Sequence, residues 1–300
     1  MKTKFLFLSA LAMTIFSCTN DSSSDVAADD NITHFITSRY HVTGGNAVIQ
    51  SQVDYTVTDG KYDFYTGETF ENGVSAGSAT NTDFIYQNGL LASQISNPDD
   101  SRHFFYDAQD KLIGADRVTV DPVTGVSGTL HYRFVHHPGN IVYCERMSSA
   151  LPDAVISHRV IMDFDADDNL VSAGFDADID GTAENVNTYT TVNNDITGVV
   201  LASGENITYT YASIVDNQHF LVENSYGKQV NRLLCSEGFA GTSIDYIKHI
   251  LNSRHLFADE VPLATYEINA SNNFIKKKTT VEPSAVSTTE IQEVTEYFFD

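Results

Sequence analysis

The 300-residue chain has no tryptophan, only three cysteines and six prolines, and its 17 lysines and arginines face 40 aspartates and glutamates. Each shortage narrows what the protein does. Sugar-stacking platforms usually rely on large aromatic faces, so without tryptophan a glycan surface would fall to the 15 tyrosines. A surface this acidic repels nucleic acid and anionic lipid headgroups, which makes both poor partners, and it keeps the protein soluble. No Pro- or Ser-rich linker divides the long middle of the chain. Beyond the N-terminus no segment is long and apolar enough to cross a membrane.

The N-terminus supplies a different attachment. Met1-Lys2-Thr3-Lys4 precedes an apolar run from Phe5 to Phe16, interrupted by Ser9 and Thr14, and the run ends at Ser17-Cys18. Two lysines followed by about twelve mostly apolar residues form a signal peptide, too short to span a bilayer stably. Small Ser17 before Cys18 resembles the lipobox of bacterial lipoproteins, which implies cleavage after residue 17 and diacylglycerol on the Cys18 sulfur. Two or more acyl chains, at about 0.8 kcal/mol per buried CH₂, make such an anchor stable. Residues 18–31 continue as a polar, acidic stretch that cannot bury enough apolar area to order itself and reads as a flexible tether. Loss of residues 1–17 removes Lys2 and Lys4 and no acid, leaving 15 basic against 40 acidic side chains.

Residues 32–300 are expected to form a single β-rich domain with a sizeable core, given 42% hydrophobic residues and 18 phenylalanines. From Ile32 to Thr210, short runs of β-branched and aromatic residues alternate with Asp59-Gly60, Asn72-Gly73, Asn88-Gly89, Pro138-Gly139-Asn140 and Asp180-Gly181. That pattern predicts an antiparallel meander, as a twisted open sheet or partial barrel. Cys144 and Cys235 are left to form a disulfide or to remain two buried thiols. Near the C-terminus, Thr242 to His255 has a Ser/Thr cap, an early acid, apolar Ile244, Ile247, Ile250 and Leu251, and basic residues at its end. It predicts one α-helix packed on the sheet.

One unit recurs within the meander. Tyr106-Asp107-Ala108-Gln109-Asp110-Lys111-Leu112-Ile113 matches Phe164-Asp165-Ala166-Asp167-Asp168-Asn169-Leu170-Val171 position for position, with looser copies at Tyr86 to Leu91, Phe134 to Ile141 and Val192 to Ile196. The six-residue spacing from aromatic to leucine places the two on opposite arms of a hairpin. These residues resemble the YD repeat of Rhs and teneurin proteins and, in irregular form, of Bacteroidota outer-membrane lipoproteins, over residues 80 to 200. Asp110 and Asp168 stand where the repeat has glycine, and aspartate tolerates positive φ better than most residues. That departure and the uneven copies argue against a closed Rhs-type shell. Acidic residues after the lipidated cysteine, here Asp21, Asp25, Asp29 and Asp30, resemble the export signal of that phylum, which implies the outer membrane with the cell surface favoured over the periplasmic face.

Candidate chemistry is sparse. Asp176, Asp178, Asp180 and Glu184, with Gly181 between them, offer oxygen ligands at alternate positions for Ca²⁺. Asn187 stands where an EF-hand has its bidentate glutamate and the flanks read as strands, so an acidic hairpin tip turning at Asp180-Gly181 is the stronger reading. Asp163, Asp165, Asp167 and Asp168 read as a second, solvated tip. Gly73-Val74-Ser75-Ala76-Gly77 matches the nucleophile pattern of α/β-hydrolases, but it lacks the strand before and helix after that an elbow requires. His131, His136 and His137 could hold a surface transition metal, though histidines at a turn are usually just solvated. Scattered Glu68, Glu71 and Asp83 single out no glycosidase pair.

The reading is therefore a non-catalytic accessory or scaffold lipoprotein, with no resident cofactor beyond the calcium candidate. It would be held on the membrane by its N-terminal lipid and bind an outer-membrane protein complex or secreted partner. A surface glycan-binding lipoprotein is the alternative.

Overall fold

The computed structural model describes residues 31–96, 100–121, 123–147, 155–234, 254–258, 264–283 and 290–300. The expected signal peptide, Cys18, the rest of the tether up to residue 30, and Cys235 lie outside these residues.

Strands follow one another from the start: β1 (Ile32–Thr43), β2 (Asn46–Thr58), β3 (Lys61–Glu71), β4 (Val74–Gln87), β5 (Leu90–Ser96), β6 (Asp100–Tyr106), β7 (Leu112–Val120), β8 (Ser127–His137) and β9 (Ile141–Met147). They continue with β10 (Ile156–Phe164), β11 (Leu170–Phe175), β12 (Asn185–Val192), β13 (Asp195–Val200), β14 (Asn206–Thr208) and β15 (Tyr211–Val215). Helices α1 (Asn217–Tyr226) and α2 (Lys228–Leu234) come next, then β16 (His255–Phe257), β17 (Ala264–Ile268), β18 (Ile275–Pro283) and β19 (Glu290–Phe299).

Seventeen strands make one antiparallel sheet, and β15 with β16 make a two-stranded one. The registers order the large sheet as β17-β18-β19-β1, then β2 through β14 in chain order. It is the expected meander, not closed into a barrel, with β17 and β14 at its two edges among the described residues. The alternation that builds it is plain in β10, where Val160, Met162 and Phe164 are buried at every second position. Core residues from strands all along the sheet join Leu221, Leu233 and Leu256 in one cluster, so the sheet curls around the helix pair and β16. Cys144 is buried on β9.

The turns bear out their sequence chemistry. Asp59-Gly60, Asn72-Gly73 and Asn88-Gly89 all have positive φ at both residues, as a tight two-residue hairpin requires. In the recurring unit Tyr106 pairs with Leu112 and Phe164 with Leu170, each beside a β-bulge. Asp107 and Asp165 hold their tips identically. The Asp107 Oδ1 accepts from the backbone N–H of Gln109 and Lys111, and the Asp165 Oδ1 from that of Asp167 and Asn169. Asp110 and Asp168 adopt φ of 61° and 57° in place of glycine.

The helical part is richer than expected. The predicted helix over 242–255 lies outside the described residues except for Arg254 and His255, and His255 opens β16 as a strand residue. Two helices not foreseen occupy 217–234. Asp216 caps α1 by accepting from the N–H of Gln218 and His219, and Gly227, at φ 83°, ends it. Inside the curl, Ser225 accepts from Tyr62 N at 2.9 Å and the Tyr226 hydroxyl donates to Gln94 at 3.0 Å. Fully buried Asn217 exchanges two hydrogen bonds with the backbone of Ile275, joining α1 to β18.

Candidate binding groove and the charge ladder beside it

Opposite residues of an antiparallel pair share a face. On the face away from the core, Phe105 of β6 stands opposite Gly114 of β7, which stands opposite Arg133 of β8, then Glu145 of β9 and Arg159 of β10. A second row on this face runs His103, Asp116, His131, Met147. Between these rows lies a concavity of about 690 Å³ lined by Phe105, Ile113, Val135, Met147, Asp116, His131 and Arg133, among others. Pockets of this size that are mainly apolar with a few polar groups are the usual form of a ligand site.

Gly114 forms the floor. A Cβ there would stand 3.4 Å from the Phe105 ring and from the Tyr132 carbonyl oxygen, in ordinary contact, so the Phe105 ring flanks the glycine at the edge of the concavity. Phe105 and Ile113 remain 48% and 42% exposed, although the core face of their hairpin is satisfied by Phe104 and Leu112. Asp116 accepts from His131 at 2.7 Å. At the hairpin end, the Lys111 backbone N–H holds the Asp107 carboxyl below its ordinary value, so Asp107 carries its charge at neutral pH.

The row of Arg133 continues as a ladder of alternating charge. Glu145 is 2% exposed and accepts from Arg133 at 2.6 Å and from Arg159 at 2.9 Å, while Arg159 donates to fully buried Asp176 at 2.9 Å. The Arg159 guanidinium also lies 5.1 Å from the Tyr143 ring centroid. Burial alone would raise the Asp176 carboxyl, but hydrogen bonds from Arg159 and from the Gly181 and Asp180 N–H groups hold it below the usual aspartate value.

This places the predicted calcium residues. They lie not on a two-residue tip but on the nine-residue connection from Asp176 to Glu184, where Ile179 rather than Asp180 takes positive φ before Gly181. The connection folds back over β9 and β10, with the Tyr143 hydroxyl donating to Gly181 O and Arg159 to Ile179 O. Asp176, Asp178 and Glu184 bring carboxylate oxygens within 4.8 Å of one another, with Asp180 outside the group. Each is already engaged: Asp176 by Arg159, Asp178 by Asp180 N–H, Asp180 by Thr182 N–H and Glu184 by Ala177 N–H.

Other sequence candidates separate. The tip at Asp165 to Asn169 is exposed at Ala166, Asp167 and Asp168 and also touches α2, where Lys228 donates to Asp167 O and Gln229 to Asp168 Oδ1. Ser75 sits on β4 and donates to Glu68 of β3, in no strand-to-helix elbow. His136 bonds the Leu112 carbonyl, His137 packs on Tyr143 at 4.1 Å between centroids, and His131 is held by Asp116. Among the described residues these three histidines do not form a metal-ligating group.

No family model and no curated protein matches the chain. Among solved structures, a porin-like protein from Bacteroides uniformis is similar at 12% identity, covering 90% of this chain and 98% of that one with a TM-score of 0.38. A porin-like protein from Bacteroides vulgatus, also at 12% identity, covers 91% and 99% with a TM-score of 0.29. At these values the likeness transfers neither a fold family nor a function.

Proposed function

We propose that this chain is a lipid-anchored, non-catalytic accessory protein of the outer membrane, which uses the outer face of its sheet to hold a membrane or secreted protein. The observation that carries the reading is the groove over Gly114. Phe105 and Ile113 leave apolar surface in water on the face the core does not need, and concave apolar patches of this kind mark binding sites. The Ser17-Cys18 junction and the acidic stretch behind it supply the anchor and tether. A structural role for the charged groups fits the same view. Glu145, Arg159 and Asp176 are paired with one another, and Asp165 closes its own turn.

Glycan binding ranks second because Tyr55, Tyr65, Tyr86, Tyr106 and Tyr132 pack against the core instead of presenting their faces to solvent. The deciding experiment is mass spectrometry of the N-terminal peptide with cross-linking of the intact, detergent-extracted protein in its native membrane. Acylation at Cys18 and one reproducible outer-membrane cross-link are the expected results. An unmodified thiol, or protein recovered only from the medium, would overturn the reading.

A further inference from the structure

We infer that the groove over Gly114 receives a basic, apolar segment of a partner protein: a bulky apolar side chain at the glycine, with one lysine or arginine to either side of it, toward Asp116 and toward Asp107. The inference rests on the accessory role proposed above for the class of its occupant, and on three independent features of the groove for its chemistry.

The first is shape. Gly114 lies between Phe105 on one neighbouring strand and Arg133 on the other, and Phe105, Ile113 and Val135 line the concavity with it. An open concavity of about 690 Å³ accepts one or two side chains from an extended segment. The second is charge. Arg133 is the one arginine lining the groove, and buried Glu145 neutralises it at 2.6 Å. That leaves the formal charges of Asp107 and Asp116 uncompensated by an arginine or lysine in the lining, on a chain whose net charge is −23. Charge complementarity therefore selects a cation and rejects an acidic segment. The third is Phe105, about half exposed at the groove wall, an aromatic side chain beside which a cationic group is favoured.

Two peptides of equal length and apolar content, with charges two positions from the phenylalanine so that they share its face in an extended chain, separate this from nonspecific apolar contact: acetyl-Lys-Leu-Phe-Leu-Lys-amide and acetyl-Glu-Leu-Phe-Leu-Glu-amide. The full chain, in nanodiscs of neutral phosphatidylcholine, is labelled on isoleucine, valine and methionine methyl groups and titrated with each. The basic peptide is expected to give saturable shifts at Ile113, Val135 and Met147, with the acidic peptide at least fivefold weaker. Gly114→Val fills the floor and is expected to weaken the basic peptide at least fivefold. Asp116→Asn is expected to remove much of the preference between peptides. Ile113→Ser, at an exposed position, provides a second groove variant should Gly114→Val fail to fold, with melting curves reporting folding in each case.

Absent or non-saturating shifts, equal binding of the two peptides, or a folded Gly114→Val protein that binds like the parent would each overturn the inference. Its failure is distinguishable from failure of the accessory role. A cross-linked partner that persists in folded Gly114→Val retires the groove and keeps the role, whereas peptide binding without any native cross-link does the reverse.

Discussion

Tyr106 and Leu112, six positions apart in the chain, face one another across the β6–β7 hairpin as direct Cα partners. Phe164 and Leu170 repeat the relationship across β10–β11. Between each pair an aspartate with φ near 60° stands in for glycine. Both tips are exposed, and they differ in what they touch: Asp168 also accepts from Gln229 of α2, and Lys228 donates to Asp167 O. Asp110→Gly should therefore be neutral or stabilising by up to about 1 kcal/mol, since glycine removes residual strain at positive φ. Asp168→Gly should be destabilising by about 1 kcal/mol, through the lost hydrogen bond to the helix. Urea unfolding midpoints of the two variants test the difference, and equal shifts would contradict it.

Arg159 is the hinge of the charge ladder. Replacing it with methionine keeps much of the side-chain volume but leaves Glu145 and Asp176 buried without their shared cation. Breaking a buried pair from one side costs about 3–5 kcal/mol, far more than surface pairs contribute. Arg159→Met should accordingly lower the denaturation midpoint sharply, and Lys277→Met, which breaks an exposed pair with Glu296, should move it by less than about 1 kcal/mol.

Acid should act on the same ladder. The Asp176 carboxyl is ionised in the folded protein below its unfolded value of 3.8, so its contribution is complete above that pH and is lost as pH falls through the lower, folded-state value. At the other extreme, burial pushes the phenols of Tyr106, Tyr189 and Tyr226 up to about 12 and raises that of Tyr62 further. A neutral phenol held above its unfolded value near 10 stabilises the fold below that pH, and the contribution is lost as pH rises beyond it. Tyrosinate absorbance should thus appear together with loss of β-sheet circular dichroism above pH 10. Full ionisation of a still-folded sheet would contradict this.

Calcium should have little effect. At a dissociation constant near 1 mM, typical of open extracellular sites, 1 mM Ca²⁺ contributes about 0.4 kcal/mol and raises the melting temperature by about 1 °C for a domain of this size. Asp178→Ala should abolish even that rise while leaving the Asp176–Arg159 pair and the baseline melting temperature intact. A rise of 5 °C or more in the parent protein would restore the loop from Asp176 to Glu184 as a metal centre.

The meander was legible because its information is local. Asn88-Gly89 or Tyr106-Asp107 specify a turn from adjacent residues, and the strands between need only alternate. Helix α1 carried a readable start and stop in Asp216 and Gly227, but its buried positions are Asn217, His219, Leu221 and Ser225. A helix that buries polar groups inside a curled sheet shows no apolar stripe, so periodicity passes over it. The ladder and groove were invisible for another reason. Arg133, Glu145, Arg159 and Asp176 are 12, 14 and 17 positions apart in succession, and only strand register brings them together. Register likewise turns Gly114 from an unremarked strand glycine into the floor of a groove.

The first strand is an interior one. β1 pairs with β2 on one side and, from Val42↔Glu290 to Ile32↔Phe299, with the final strand on the other. A chain that folds as it is synthesised must therefore keep that flank unzipped until β19 has emerged, with the donors and acceptors along it open to stray pairing. Premature termination before β19 would not merely trim the protein; it would convert a sealed flank into an adhesive one, and aggregation rather than simple loss of stability is the outcome such a truncation invites.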